Sequence, residues 1–182
     1  MFEIEIAGQI AAWFLHKQEG PMPHLKLMKL LYIAERTSLQ KNGYPVIGDR
    51  LVSMDHGPVL SNTYDHMKGM EFACPDNGWS KWVSPVQEYK VSLAREYNPK
   101  DLDFLSEATL EILAEVWDNF GYMDQWEIRD HTHGFPEWQD PSGSSQKITY
   151  KELLDALEYG ERSAEIAEEL EAQQQVRKAL LI

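Results

Sequence analysis

From Leu25 to Lys41 the chain runs LKLMKLLYIAERTSLQK, a helical segment apolar on too many sides to lie at a surface. Leu27, Leu31 and Ala34 line one side, and Leu30, Ile33 and Leu39 widen that side into a broad arc. A helix with so wide an apolar arc has to be central, packed against several neighbours at once. Gly43 stands where a left-handed C-terminal cap is expected. In front of it, EGPMP ends an earlier helix, because Gly20, Pro21 and Pro23 cannot propagate one. That earlier helix covers Ile4 to Lys17, with Ile6, Ile10, Trp13 and Phe14 on one face.

The remaining elements arrange themselves around this helix. YPVIGDRLVSMDHGPV is short, β-branched and punctuated by Gly and Pro, which predicts a small hairpin or two short extended arms. A short helix follows, Leu60 to Lys68, closed by Gly69. Residues 73 to 85 read as a loop with a little extended structure, and EYKVSL alternates as a strand that pairs with the hairpin in one minor sheet. In LSEATLEILAEVWDNFG, Ser106 is the N-cap, Gly121 the stop, and Leu110, Leu113, Trp117 and Phe120 the buried face. A shorter helix runs from Asp124 to Thr132, and PSGSSQK is a polar loop. TYKE spells a capping box, Thr149 with Glu152, ahead of Leu153, Leu154 and Leu157. The tail from Glu161 to Ile182 is helical and acidic, anchored by Ile166 and Leu170, with Arg177 and Lys178 near its end. The expectation is a mainly α, compact single-domain fold with a minor β-hairpin or small sheet. Residues 1–160 form the domain, and 161–182 an acidic C-terminal helical extension.

Charge narrows the function classes. The 182 residues carry a net charge of −13, which repels nucleic acid and anionic membranes and either favours a basic protein surface or simply keeps the chain in solution. Cys74 is the only cysteine, so neither an internal disulfide nor a Cys-rich zinc site can form, and a reducing cytoplasm fits. The segment ACPDNG around it makes Cys74 an inert loop thiol. The start lacks a basic n-region and a cleavage motif, and no apolar run reaches the about 18 residues a membrane span needs.

Four clusters are candidates for chemistry or binding. RDHTHGFPEW places His131 and His133 two apart. On a helix such residues point about 200° apart and cannot share an ion, whereas on an extended stretch they can. A metal-dependent enzyme built on this pair would draw a third ligand from His24, His56 or His66, but no spacing selects one. The structural alternative ends a helix near His133, with a charged histidine satisfying its carbonyls, and turns the chain through Phe135, Pro136 and Trp138. Trp126 then packs, while Trp138 either packs or binds. In SMDHGPVLS, Asp55 and His56 are either an acid–base pair or a tight turn in which Gly57 gives freedom and Pro58 opens a helix. Lys26 and Lys29 read as a solvated edge, free to meet a partner's carboxylates. No nucleophile elbow, Cys-based signature or Gly-rich phosphate loop is present, so no cofactor is called for.

KLMKLLYIAERTSLQKNGYPVIGDRLVSMDHGPVLSNTY resembles the opening of the Panacea domain of SocA-like antitoxins and phage-associated GepA-type proteins. The matching motifs are Lys26 to Tyr32 with Lys29, the turn Gly43 to Pro45, and His56 to Val59. A later Thr-His followed by Pro and Trp falls at Thr132, His133, Pro136 and Trp138. Many members place Pro directly before Trp, whereas this chain has Pro-Glu-Trp, so its elbow turns differently. The resemblance covers roughly residues 4 to 160. It implies an antitoxin without catalytic residues that neutralises a toxin encoded beside it by direct contact, or that delivers the toxin to a ClpXP-type protease. In the first case the acidic Glu161–Glu171 helix speeds the encounter and Trp138 prolongs the complex. In the second, the terminal ALLI is a possible degradation signal.

Overall fold

The computed structural model describes residues 4–70 and 78–179. Cys74, the residues beside it and the last three residues of ALLI lie outside that range. Eight helices occur among the described residues: α1 (Ile4–Gln18), α2 (His24–Asn42), α3 (Ser61–Met67), α4 (Trp79–Trp82), α5 (Glu107–Phe120), α6 (Gln125–His133), α7 (Tyr150–Ala156) and α8 (Ser163–Ala179). Helix α2 is the central one, as its apolar arc predicts, and packs on α1, α5, α6, α7 and the β-hairpin. Leu27, Leu30, Leu31, Tyr32 and Leu39 are all fully buried. Gly43 closes α2 at φ 74°, donating its N–H to the Leu39 carbonyl at 3.0 Å.

Side-chain caps set the starts of α5, α6 and α7. Ser106 accepts the Thr109 N–H, and Thr149 and Glu152 form the expected box. A second box, Asp124 with Glu127, opens α6. Helix α3 begins after Leu60, which has no capping oxygen. Buried Asp49 substitutes from a distance, accepting the N–H groups of Asn62 and Thr63 and the Thr63 hydroxyl.

The mainly α architecture is as expected, but several details differ. The buried face of α5 is Ile112, Leu113 and Val116; Leu110, Trp117 and Phe120 lie only partly covered at its sides. Helix α1 is buried nearly all round, down to Gly8, where a Cβ would come within 2.8 Å of the Trp82 ring. That ring belongs to α4, a helical turn within the stretch read as a loop.

The β structure is two small sheets, not one. β1 (Met22–Pro23) pairs antiparallel with β4 (Lys90–Val91), while the hairpin β2 (Leu51–Met54) and β3 (Gly57–Leu60) takes β5 (Gln146–Lys147) on its free edge. The expected strand in EYKVSL shrinks to two residues because Glu88 and Tyr89, at φ 48° and 63°, make a tight turn between Gln87 and Lys90. The short helix expected over Leu60 to Lys68 runs from Ser61 to Met67, and Pro58, read as a helix opener, lies outside it. Pro58 sits in β3 opposite Ser53, on a strand whose outer side faces α2 and α6.

Candidate functional site

A row of polar side chains runs along α2 and ties it to four other parts of the chain, at Gly121, Pro58, Ile47–Gly48 and Glu137. Lys26 donates to the Gly121 carbonyl at 2.7 Å, and Lys29 to the Pro58 carbonyl at 2.8 Å. Glu35 accepts the N–H groups of Ile47 and Gly48, both at 2.7 Å. The Tyr32 hydroxyl and Arg36 Nε converge on one oxygen of Glu137, at 3.0 and 2.8 Å. A buried polar group without a partner is costly, so these residues select the loop positions they can reach. The solvated edge expected of Lys26 and Lys29 is therefore not found. Their stems carry the amines inward to backbone carbonyls, and Lys29 is 0% exposed. Burial, followed by the nearby Arg129 charge, pulls the Lys29 amine down to about 7, while burial pushes the Glu35 carboxyl up to about 7.

The elbow after α6 is built on this row. Gly134 returns its N–H to the His131 carbonyl, so backbone rather than a histidine closes the helix. Thr132 is buried and donates its hydroxyl to the Arg129 carbonyl at 2.8 Å. Phe135 packs beside Tyr32, with the Arg36 guanidinium 4.3 Å from its ring centre. Pro136 is exposed at the turn, and Glu137, the residue inserted between Pro and Trp, is the buried anchor. Trp138 lies flat on His133 at 4.1 Å and donates Nε1–H to the Met54 carbonyl at 3.1 Å. Gly57, at φ 91°, completes the junction. A Cβ there would sit 2.8 Å from Thr132 Oγ1, 3.0 Å from Lys29 Nζ and 3.2 Å from the His133 ring, so both conformation and space require glycine.

The two histidines of the opening motif part company. His131 faces Phe120 and Phe135, and His133 faces Trp138 and the Gly57 junction. Both titrate below the ordinary histidine range, from burial first and then from Arg36 for His131 and Lys29 for His133. The expected charged histidine at the end of α6 is therefore disfavoured, and His133 Nε2 is buried without a hydrogen-bond partner. Among the described residues no three His, Cys, Asp or Glu side chains gather as a metal set. Asp55 and His56 do not pair either. Asp55 accepts the Gly143 N–H at 2.9 Å, and His56 sets its ring edge-on to Trp126 at 6.3 Å. They form the hairpin tip, as the turn reading expects.

In front of the junction opens a cleft of about 680 Å³. Its floor is Met28, Val59 and Gly57, with Lys29 in the wall. Its rim is the hairpin tip, Trp126 on the first turn of α6, and the Glu88–Tyr89 turn. Trp126, expected to pack, is 48% exposed, and Tyr89 is 77% exposed. Tyr89 is the site residue that the sequence hides, because nothing in EYKVSL marks a left-handed turn at two non-glycine residues. Arg36 was within reach of sequence, as a charged residue seven positions from Lys29, and Glu35 as one four positions from Leu31 on the apolar arc. A second groove, of about 420 Å³, lies between the 43–48 loop and α8.

The sequence matches the family described as antitoxin SocA-like, Panacea domain, over residues 27–139. That span holds α2 from Leu27 onward, the hairpin, most of the cleft and the elbow, while α1, α7 and α8 lie outside it. No curated protein and no solved structure matches the chain.

Proposed function

Since the chain belongs to the SocA-like antitoxin family through its Panacea domain, we propose that it is an antitoxin that neutralises a toxin by direct protein–protein contact. The observation that carries this reading is the cleft: exposed aromatics stand around an apolar floor, on a frame locked by buried hydrogen bonds. Rigid, solvent-facing Trp and Tyr beside an apolar pocket are the features from which protein-binding hot spots are made. Several buried polar groups that could have suggested catalysis are engaged in holding the frame. Tyr32 and Arg36 hold Glu137, Lys29 holds Pro58, and Asp49 holds α3.

Charge supports the same reading. Glu165, Glu168, Glu169 and Glu171 are exposed on α8, and the chain as a whole carries −13. A negative field of this kind speeds encounter with a basic surface and repels nucleic acid. Trp138, with its ring against His133 and its N–H on Met54, belongs to the frame, and Trp126 takes the contact role in its place.

Co-expression with the product of the adjacent gene tests the proposal. The expected outcome is growth arrest by that product alone, rescue by this chain, and a stoichiometric complex on co-purification. A falling toxin level that depends on ClpXP would instead indicate delivery to the protease. Rescue failing together with co-purification would remove the antitoxin reading.

A further inference from the structure

We propose that the cleft between Trp126, Tyr89 and the Asp55–His56 hairpin tip docks a polypeptide segment that carries an apolar anchor side chain flanked by a basic one. This rests on the antitoxin reading and specifies the part of the partner that is recognised.

The anchor follows from the floor. Met28 and Val59 lie at its base, with half-buried Met54 and Tyr64 beside them. Methionine side chains adapt to varied apolar shapes. The volume of about 680 Å³ is room for one or two large side chains but not for a folded element.

The walls are prepared for contact. Trp126 is fixed on a capped first turn, with the Arg129 guanidinium 4.9 Å from its ring centre and the His56 ring edge-on to it. Tyr89 is held at φ 63°, a conformation that side-chain-bearing residues seldom adopt. Its carbonyl accepts both the backbone N–H of His24, at 2.9 Å, and His24 Nδ1, at 2.8 Å, while Gln87 and Lys90 exchange N–H···O bonds across the turn. The product of all this fixation is a tyrosine ring standing in solvent at the cleft mouth. The ring stacks on His24, with centroids 6.1 Å apart, and is otherwise open to solvent.

The flanking charge follows from the rim. Asp55 and Glu88 line the cleft, and Asp124 and Glu127 are exposed beside Trp126. The backbone N–H groups of Glu127 and Trp126 hold the Asp124 carboxyl below its ordinary range, so it is ionised at neutral pH. Against these four carboxylates stand Lys90, whose side chain is exposed, Lys29, buried in the wall on the Pro58 carbonyl, and Arg129, already bonded to Asp130 at 2.8 Å. A lysine or arginine next to the anchor meets attraction there, and a phosphate or an acidic residue meets repulsion.

A phage-displayed library of random 12-residue peptides selected on the full chain is the test. Enriched peptides should share an aromatic, Leu or Met residue with Lys or Arg within two positions. By fluorescence polarisation, Trp126→Ala and Tyr89→Ala should each weaken a selected peptide about tenfold, with melting temperatures near wild type. Glu88→Lys should weaken it severalfold and restore binding to a version with Glu in the basic position. Glu168→Lys on α8 should change nothing. Peptides that bind Trp126→Ala and Tyr89→Ala as tightly as wild type, or that lack the apolar–basic pair, or the absence of any cleft-dependent peptide, would overturn the assignment. A Trp126-dependent dimer in sedimentation would overturn it too, giving the cleft to a second copy. A toxin that co-purifies equally with the Trp126 and Tyr89 variants removes this inference alone; a chain that binds no toxin removes the antitoxin reading beneath it.

Discussion

Lys29 and Glu35 are buried within two turns of each other on α2 and are shifted in opposite directions, which makes them legible in the pH dependence of stability. The Lys29 amine titrates near 7 in the folded chain and near its ordinary value of 10.5 when unfolded. Between those values the unfolded state binds the additional proton, so stability rises with pH from about 7 upward. Glu35 titrates near 7 folded and near 4.5 unfolded, so its contribution is full below 4.5 and is lost as pH rises to about 7. His133, shifted downward, acts oppositely to Glu35 and loses stability as pH falls below the ordinary histidine range. Lys29→Met should therefore flatten the rise in urea midpoint between pH 7 and 9.5 while leaving the acid limb in place. An unchanged slope would mean that Lys29 is charged and solvated in the folded state.

Elements were readable in proportion to their length and to how local their causes are. The periodicity of α2, the glycine at its end and the caps at Ser106 and Thr149 are all written within a few residues. Strands two residues long leave no alternation to read, and β1, β4 and β5 exist only through partners distant in sequence. Pro58 reads as a helix opener because Gly-Pro before an apolar run usually is one, yet packing of β3 on α2 and α6 decides otherwise. The elbow motif was visible as a cluster, but its roles were not. The row on α2 draws Glu137 inward, the Met54 carbonyl and the His133 ring hold Trp138, and Trp126 stands exposed on the capped first turn of α6. Helix α8 shows its anchors at helical spacing, though the buried pair is Ala167 and Leu170 while Ile166 is only partly covered. Because α8 packs on α7 and Gln174 donates to the Tyr150 hydroxyl at 2.7 Å, the extension should stabilise the body. Leu170, 6% exposed, should cost about 2 kcal/mol on truncation to alanine. For a chain of this size that lowers the melting temperature by about 4–8 °C. A melting temperature equal to wild type would show that α8 is not docked in solution.

At the scale of the molecule, a central helix uses one apolar arc to gather the core and the polar residues set within it to fix the loops. No helix among the described residues is long and apolar enough to cross a membrane. The chain is net acidic, and of its exposed aromatics Trp126 and Tyr89 line the cleft while Tyr44, Phe104 and Tyr122 lie outside it. Such a division suits a partner drawn in by charge and retained by a few buried rings. Hydrogen–deuterium exchange on the chain, alone and saturated with the adjacent gene's product, tests that division most directly. The account predicts new protection at residues 54–57, 87–90 and 124–130, around the cleft, with α8 unchanged. Protection confined to α8, to the 43–48 groove, or to no segment at all would contradict it.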